Sequence, residues 1–369
     1  MKDAEHYDFL IVGAGLYGAT CARILSDKGY RVLVIEKRDH VAGNAYTVSN
    51  FGIDVHVHGA HIFHTSNSDV WNFIRRFSVF NSFINSPLAD YHGERYHLPF
   101  NLNTFRELWD DVETAEDAKK KIEEEIALYG TDDPQNLQEQ AISLVGLTVF
   151  TKLIKEYTEK QWGRDCNLLP PSIIKRVPVR FEANNNYFDD LYQGIPVDGY
   201  TKLVERMLSG VEVRLSTDFL KEKETYQYIA DRMIYTGPID EYFSYQFGML
   251  EYRSLRFKTH AYDIPSYQGN AVINYTSHDV PYTRIIEHKF FNDPGVNKTV
   301  ISEEYPAKWE EGLERYYPVN DESNIEKYVR YIELAKENKN VFFGGRLGLY
   351  QYLDMDDTIL AAMEFCKKF

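Results

Sequence analysis

This chain is poor in groups that cross-link or bind metal. Its three cysteines, Cys21, Cys166 and Cys366, are odd in number and widely separated in 369 residues. They indicate a reducing compartment and no disulfide framework, and no cysteine–histidine cluster has zinc spacing. Long apolar runs are also missing. The nearest, Phe9 to Leu25, is interrupted by three glycines and Arg23 and follows Asp3, Glu5 and Asp8 instead of a basic leader. It therefore reads neither as a signal peptide nor as a membrane span, which needs about 20 apolar residues. A cytoplasmic location is expected, and the sequons at Asn274 and Asn297 carry no weight there. Positive charge is scarce: the net charge is −15, which argues against a general nucleic-acid or anionic-membrane surface. An anionic substrate must then be held by a few local arginines. No repeat or low-complexity tract is present, and no Ser–His–Asp order or nucleophilic-cysteine setting emerges. No carboxylate pair for glycosyl chemistry stands out among 56 acidic residues. The reactive atom is accordingly expected on a cofactor, with the protein supplying orientation and electrostatics.

What is present begins at residue 7. YDFLIVGAGLYGATCARILSDKGYRVLVIE reads as strand, glycine turn, helix, second strand and terminal acid. Gly13, Gly15 and Gly18 have the G-x-G-x-x-G spacing: Gly13 for the tight turn, Gly15 for close approach of backbone to a pyrophosphate, Gly18 for packing helix on strand. The helix start offers free N–H groups and partial positive charge to that pyrophosphate. Glu36 can accept hydrogen bonds from ribose hydroxyls, and its charge would repel a 2′-phosphate. A glycine triplet alone is weak evidence; the full context makes it a dinucleotide site.

Length predicts two or three domains with ample core, and 44% hydrophobic with 26% charged residues is ordinary for a globular protein. The alternation Ile53, Val55, Val57 predicts a strand. Residues 104–161 read as mostly helical, with Glu116–Lys120 and Asp117–Lys121 at i,i+4 on a solvated face. From Pro170 the chain turns strand-like and aromatic, through VPVRFE and NNNYFDDLY, and 250–305 alternates as several antiparallel strands. The final segment returns to strand, glycine turn and helix. The expected class is α/β: a discontinuous Rossmann-like FAD-binding domain (1–80 with 195–245 and 315–369), an inserted helical domain (100–165), and an antiparallel β-sheet substrate domain (81–99 with 166–194 and 246–314). A fingerprint at the start answered by a glycine–arginine strand–helix at the end favours FAD over NAD, one large cofactor held from two sides.

Four clusters could carry chemistry. His61 and His64 are three apart in GAHIFH; without a third ligand, a metal is not expected, and either packing or flavin contact remains. Tyr157 and Trp162 close a helix in YTEKQWG, as packing or as a stacking surface for a flat base. Lys175, Arg176 and Arg180 lie in a loop, either as solvated surface or as an anion clamp whose second jaw is Arg284; two guanidinium groups suit a diphosphate through bidentate bonds. Tyr316, Tyr317, Tyr350, Tyr352 and Asp354 lie near the C-terminal strand. With 28 tyrosines in the chain, some of these must be simple packing, while a ring with a polar tip also suits a sugar pocket.

Together LIVGAGLYG, VIEKRDHVAGNAYT, GAHIFHT, YTEKQWGR, IIKRVPVRF, YQGIPVDGYTKL, IYTGPID, VPYTRIIEH, YYPVND and FGGRLGLYQYLDMD resemble the UDP-galactopyranose mutase family over nearly the whole chain. The resemblance implies FAD, active only when reduced, in an isomerase that interconverts UDP-galactopyranose and UDP-galactofuranose. Reduced flavin N5 attacks the anomeric carbon, UDP leaves, the sugar ring opens and recloses through its 4-hydroxyl, and UDP returns, with no net redox change. It implies Arg176, on a mobile loop, and Arg284 at the diphosphate; Tyr157, Trp162 and Asn274 at the nucleotide; Tyr187, Tyr317 and Tyr352 at the phosphates; Asp354 at the sugar; and His61 beside the flavin. The expected cofactor set is Gly13, Gly15, Gly18, Glu36, Lys37, Gly43, Asn44, His61, Ile62, Arg346 and Met355. A homodimer, a cellular flavin reductant and supply of a cell-wall polysaccharide are family expectations. One departure is Ala42 in VAGNA, where many members have a second glycine. A conventional flavin oxidoreductase, or a non-catalytic relative that kept the fold, is the competing reading.

Overall fold

The structure, a computed structural model, describes residues 6–174 and 178–369. The strand Tyr7–Val12 lies at the centre of a five-stranded sheet with every pairing parallel. Val32–Ile35 and then Glu212–Arg214 lie on one side of it, Ala230–Tyr235 and then Val341–Phe343 on the other. Such a sheet is covered on both faces, so its strands are apolar throughout. Phe9, Ile11, Val32 and Val34 pack with Ala19, Ala22, Leu203, Val204, Ile359 and Ala362, residues of the helices Leu16–Asp27, Gly199–Met207 and Met355–Cys366. Leu10, Leu33 and Ile35 face the opposite way, onto Phe219, Tyr226 and Tyr242.

Between the second and third of these strands in chain order, and again between the fourth and fifth, the polypeptide makes the rest of the molecule. Helices Leu102–Leu108, Ala115–Tyr129 and Leu137–Val149 close around Phe105, Ile122, Ile142 and Val145. Asn101, Thr114 and Asn136 cap their starts by accepting backbone N–H bonds. The i,i+4 partners expected on the second helix have other roles: Asp117 completes the Thr114 capping box and Lys121 pairs with Asp111 at 2.7 Å. The helix from Leu137 is broken at Gly146 (φ 82°, ψ 170°). There the Glu125 carboxylate accepts bonds from the Thr148 N–H at 2.7 Å and the Thr148 hydroxyl at 2.5 Å, capping the restarted turn. A π-helical stretch, Phe150–Lys155, then leads into the short helix Glu156–Trp162; such wide turns recur at functional sites.

The second sheet has seven strands, in the order 317–318, 252–262, 299–308, 284–287, 272–275, 88–91, 94–97. It is antiparallel apart from one pair, Val272–Tyr275 running parallel to Leu88–Tyr91. The latter strand belongs to a hairpin turned by His92 and Gly93, both at positive φ, the backbone a two-residue hairpin requires. Residues 178–191, whose aromatic alternation predicts strand, are irregular up to Tyr192–Gly194, which pairs with Phe63–Thr65. Asparagine side chains replace the ladder: Asn184 accepts from the Asn186 N–H at 3.0 Å, and Asn185 Oδ1 accepts from Asn101 and Asn103, both at 3.0 Å.

Gly146→Ala puts a methyl 2.6 Å from Glu125 Oε2 at positive φ, and is expected to cost about 2–5 kcal/mol in denaturant unfolding, overpacking of about 1–3 added to backbone strain of about 1–2. Gly210→Ala, at φ +78° with nothing within 4 Å, should lose only about 1–2 kcal/mol of backbone strain. Equal losses at both sites would refute the role given to Glu125.

Candidate active site

A cleft of about 540 Å³ opens at the carboxyl ends of the central parallel strands, where ligands bind in open α/β sheets. The glycine turn forms its floor. Gly13 has φ 108°, and a Cβ there would lie 2.0 Å from Thr236 Oγ1; one on Gly18 would lie 2.0 Å from the Gly13 carbonyl oxygen. Gly15 differs: a Cβ would meet only the Gly43 Cα, at 3.8 Å. Two glycine turns, 13–18 and 43–45, thus face each other at the floor of the cleft. Ala42 holds φ 76° with its N–H on the Ala14 carbonyl at 2.9 Å, so the departure at this position keeps the glycine-like backbone. Glu36 is buried at the end of its strand and accepts from the Ala14 N–H at 2.8 Å and the Arg38 N–H at 3.0 Å. These bonds orient both carboxylate oxygens.

The residues fit a dinucleotide cofactor. Arg38 Nη1 and Arg315 Nε, on two residues that line the cleft, are buried donors without a hydrogen-bond partner among the described residues, a costly state for isolated protein that anionic phosphates or a flavin edge would relieve. Gly13, Gly15, Gly18, Glu36, Lys37, Gly43, Asn44, His61, Arg346 and Met355 all line the cleft. The Ile62 side chain packs elsewhere, with Ile195, Val272, Ile286 and Phe291. Arg38, Thr217, Phe219, Glu241 and Arg315 line the cleft too, and sequence reading missed them. Only Arg38 carried a local signal, two residues beyond the strand-terminal acid.

Histidines stand behind this wall. His61 Nδ1 lies 2.7 Å from the Gly59 carbonyl and so must donate to it. Burial, reinforced by Arg346, pulls its pKa down to about 4, so at neutral pH Nε2 is a bare acceptor. Burial likewise lowers His58 to about 4 and His288 to about 3, and holds His56 well below its ordinary value. His64 is structural, with Nδ1 2.7 Å from Asp190 and its ring stacked on Phe188. No group of metal-binding side chains is found among the described residues.

Beyond Arg346 a second cluster begins. Its guanidinium lies over the Tyr352 ring at 4.6 Å, and Tyr352 stacks on Tyr317 with centroids 5.7 Å apart. The Tyr317 phenol in turn feels the Arg284 charge. Arg284 donates through Nε to Asn274 Oδ1 at 2.9 Å and through Nη2 to the Tyr157 hydroxyl at 3.4 Å, and lies 3.6 Å from Glu304. Burial opposes its charge, but the Glu304 carboxylate beside it favours the cation. Tyr187 is 44% exposed, and Trp162 packs on the helical core. Tyr352 donates to Asp354 at 3.0 Å. Arg180, expected as a possible clamp residue, instead bonds the Asn186 and Tyr187 carbonyls and pairs with Asp189. Tyr350 is also structural, with its hydroxyl on the Glu251 and Val319 carbonyls. Lys175 and Arg176 lie outside the described residues.

A Rossmann-like cleft joined to an arginine-centred aromatic cluster defines the fold of a flavin-type dinucleotide-binding protein. Residues 11–77 match NAD(P)-binding Rossmann-like domains, and residues 152–352 match the UDP-galactopyranose mutase family. A probable UDP-galactopyranose mutase of Klebsiella pneumoniae is 39% identical over 98% of this chain and 94% of its own length. The dTDP-fucopyranose mutase of Escherichia coli is 37% identical over 96% of each. A short stretch, 16% of this chain, is 43% identical to pig flavin-containing amine oxidase A. The crystal structure of a reduced UDP-galactopyranose mutase shares the fold, with TM-score 0.74 at 15% identity over 98% of this chain and 95% of the other. The chain belongs to the UDP-galactopyranose mutase family.

Gly15→Ala should leave apo-protein melting unchanged yet reduce bound flavin, while Gly18→Ala should lower the melting temperature itself, by overpacking of about 1–3 kcal/mol; the two are checked by calorimetry and flavin absorbance. The histidines make stability pH-dependent. Unfolded, each titrates near 6.5; folded, His58 and His61 take a proton only near 4 and His288 near 3. The unfolded chain thus binds more protons in between, so stability is full above 6.5 and falls as pH drops toward 4. At pH 5 the loss should be on the order of 2 kcal/mol for each of these histidines, read as a lower denaturant midpoint than at pH 7.5.

Proposed function

We propose that this protein interconverts the pyranose and furanose forms of UDP-galactose, using FAD in its reduced state and with no net oxidation or reduction. The observation that carries this reading is the run from the cofactor cleft, Arg346 to Tyr352 to Tyr317, to a half-buried cationic Arg284 held by Asn274 and Tyr157. When bound, reduced flavin supplies a nucleophilic nitrogen for the anomeric carbon. The protein's part is positioning and charge. Tyr157, Trp162 and Asn274 hold the base; Tyr187, Tyr317 and Tyr352 surround the phosphates; Asp354 stands at the sugar. Arg284, joined by Arg176, stabilises negative charge as the diphosphate departs and keeps it in place for return, which is electrostatic catalysis by a preorganised donor. His61, neutral and fixed by Gly59, offers an acceptor toward the flavin. The same reading carries a cellular flavin reductant, a homodimer, a cytoplasmic location and a cofactor domain assembled from 1–80, 195–245 and 315–369.

A second substrate has a specific observation behind it. The dTDP-fucopyranose mutase matches at 37% identity against 39% for the UDP-galactose relative, a difference that does not separate the two sugar nucleotides. Dithionite-reduced enzyme should therefore be offered UDP-galactofuranose, its 2-acetamido analogue and dTDP-fucofuranose, with products separated by chromatography. UDP-galactopyranose as the fastest-formed product is expected; faster conversion of dTDP-fucofuranose would reassign the substrate. Oxygen uptake without isomerisation would mark an oxidoreductase. Arg284→Ala should lower kcat by about 10²–10³ with flavin content unchanged, and near-normal turnover would remove the proposed role.

A further inference from the structure

Lys160 lies one turn after Tyr157 on the helix Glu156–Trp162. Among the described residues it forms no ion pair with a carboxylate. It donates instead to four backbone carbonyls: Tyr275 at 2.7 Å, Ser277 at 2.7 Å, Val280 at 3.3 Å and Tyr282 at 2.9 Å. An ammonium has three N–H donors, so this ring of oxygens is a cation cage resembling the carbonyl rings that replace the hydration shell of potassium.

The cage is the turn that joins Val272–Tyr275 to Arg284–Glu287, the strands that carry Asn274 and Arg284. These two residues face each other in register across the pair. Two further bonds fasten the same turn to the same helix at its rim: the His278 N–H to Glu156 at 2.5 Å and the His278 ring to Glu159 at 3.2 Å. The opposite end of the helix is tied by Arg253, which donates to the Gln161 carbonyl. Tyr157 and Arg284 meet at 3.4 Å, across the junction that Lys160 closes. A loose turn would let the strand pair drift from the helix, and this contact would be lost first.

We propose that Lys160 is a positioning residue: by seating its charge in the carbonyl cage it sets the spacing between Tyr157 and the Asn274–Arg284 pair, and with it the affinity for the nucleotide end of the substrate. This rests on the reading that the nucleotide binds at Tyr157, Trp162 and Asn274. The role is electrostatic, since a neutral side chain of the same length leaves four oriented carbonyls facing one another.

The test measures UDP and dTDP binding to FAD-loaded enzyme by calorimetry, with flavin content and melting temperature as controls. Lys160→Met should weaken the tighter-binding nucleotide roughly tenfold, whereas Lys160→Arg, which keeps the charge, should stay within about threefold. Lys160→Ala should regain affinity with added propylammonium and not with 1-propanol. Unchanged affinity in Lys160→Met overturns the proposal, as does a loss in Lys160→Arg equal to that in Lys160→Met, or rescue by 1-propanol equal to rescue by propylammonium. Should the neutral variants not fold, a loss beyond tenfold in Lys160→Arg overturns it. A wild-type enzyme that binds neither nucleotide would overturn the functional reading first, and this inference with it.

Discussion

The carbonyl oxygen of Gly13 occupies the space where a side chain on residue 18 would begin, 2.0 Å from that Cβ position. This contact sets how closely the first helix approaches the first strand, and so where the helix start, with its unpaired N–H groups, points. Two other segments converge on the same spot. Thr236 packs over Gly13, and the Tyr17 ring lies where a side chain on Gly344 would be, 2.3 Å from the Cβ position. Parts of the chain more than 300 residues apart thereby build one cleft. The strands Tyr7–Val12, Ala230–Tyr235 and Val341–Phe343 lie side by side with their carboxyl ends aligned toward it.

The second constraint is electrostatic. In a protein of net charge −15, a cation at the active centre is held by local partners and not by a general field. Arg284 illustrates the arrangement: Glu304 keeps it charged, Asn274 fixes its Nε, and three phenols surround it. A guanidinium with part of its donor fork already engaged is held in one orientation. The histidines do the opposite work. Burial keeps His56, His58, His61 and His288 neutral, so the wall behind the cleft adds no positive charge to compete with the arginines.

The residues that were legible in sequence are those whose neighbours act within a few positions. The glycine triplet and Glu36 belong to one continuous strand–turn–helix–strand unit, in which spacing alone predicts geometry. Arg315 and Thr217 line the same cleft yet lie in segments with no local periodicity, so only folding brings them there. Arg180 and Arg284 look alike in sequence, each in a short basic-aromatic stretch. Their difference comes from surroundings: Arg180 braces the 186–189 turn, whereas Arg284 sits in a strand beside Glu304 and Tyr157. The aromatic alternation of 178–191 misled for a related reason, since this stretch is held by Asn184 on the Asn186 N–H and Asn185 on Asn101 and Asn103 and not by a neighbouring strand.

By itself, the amino-acid sequence determined the dinucleotide unit, the family and most of the succession of elements, because hydrophobic period, glycine spacing and capping act over distances the chain cannot avoid. Only the tertiary structure decided which basic side chain is set among tyrosines, which histidines lose their charge, and how Lys160 reaches four carbonyls over a hundred residues away. Desolvation and partner geometry control those outcomes. Both depend on which surfaces meet once distant segments have packed.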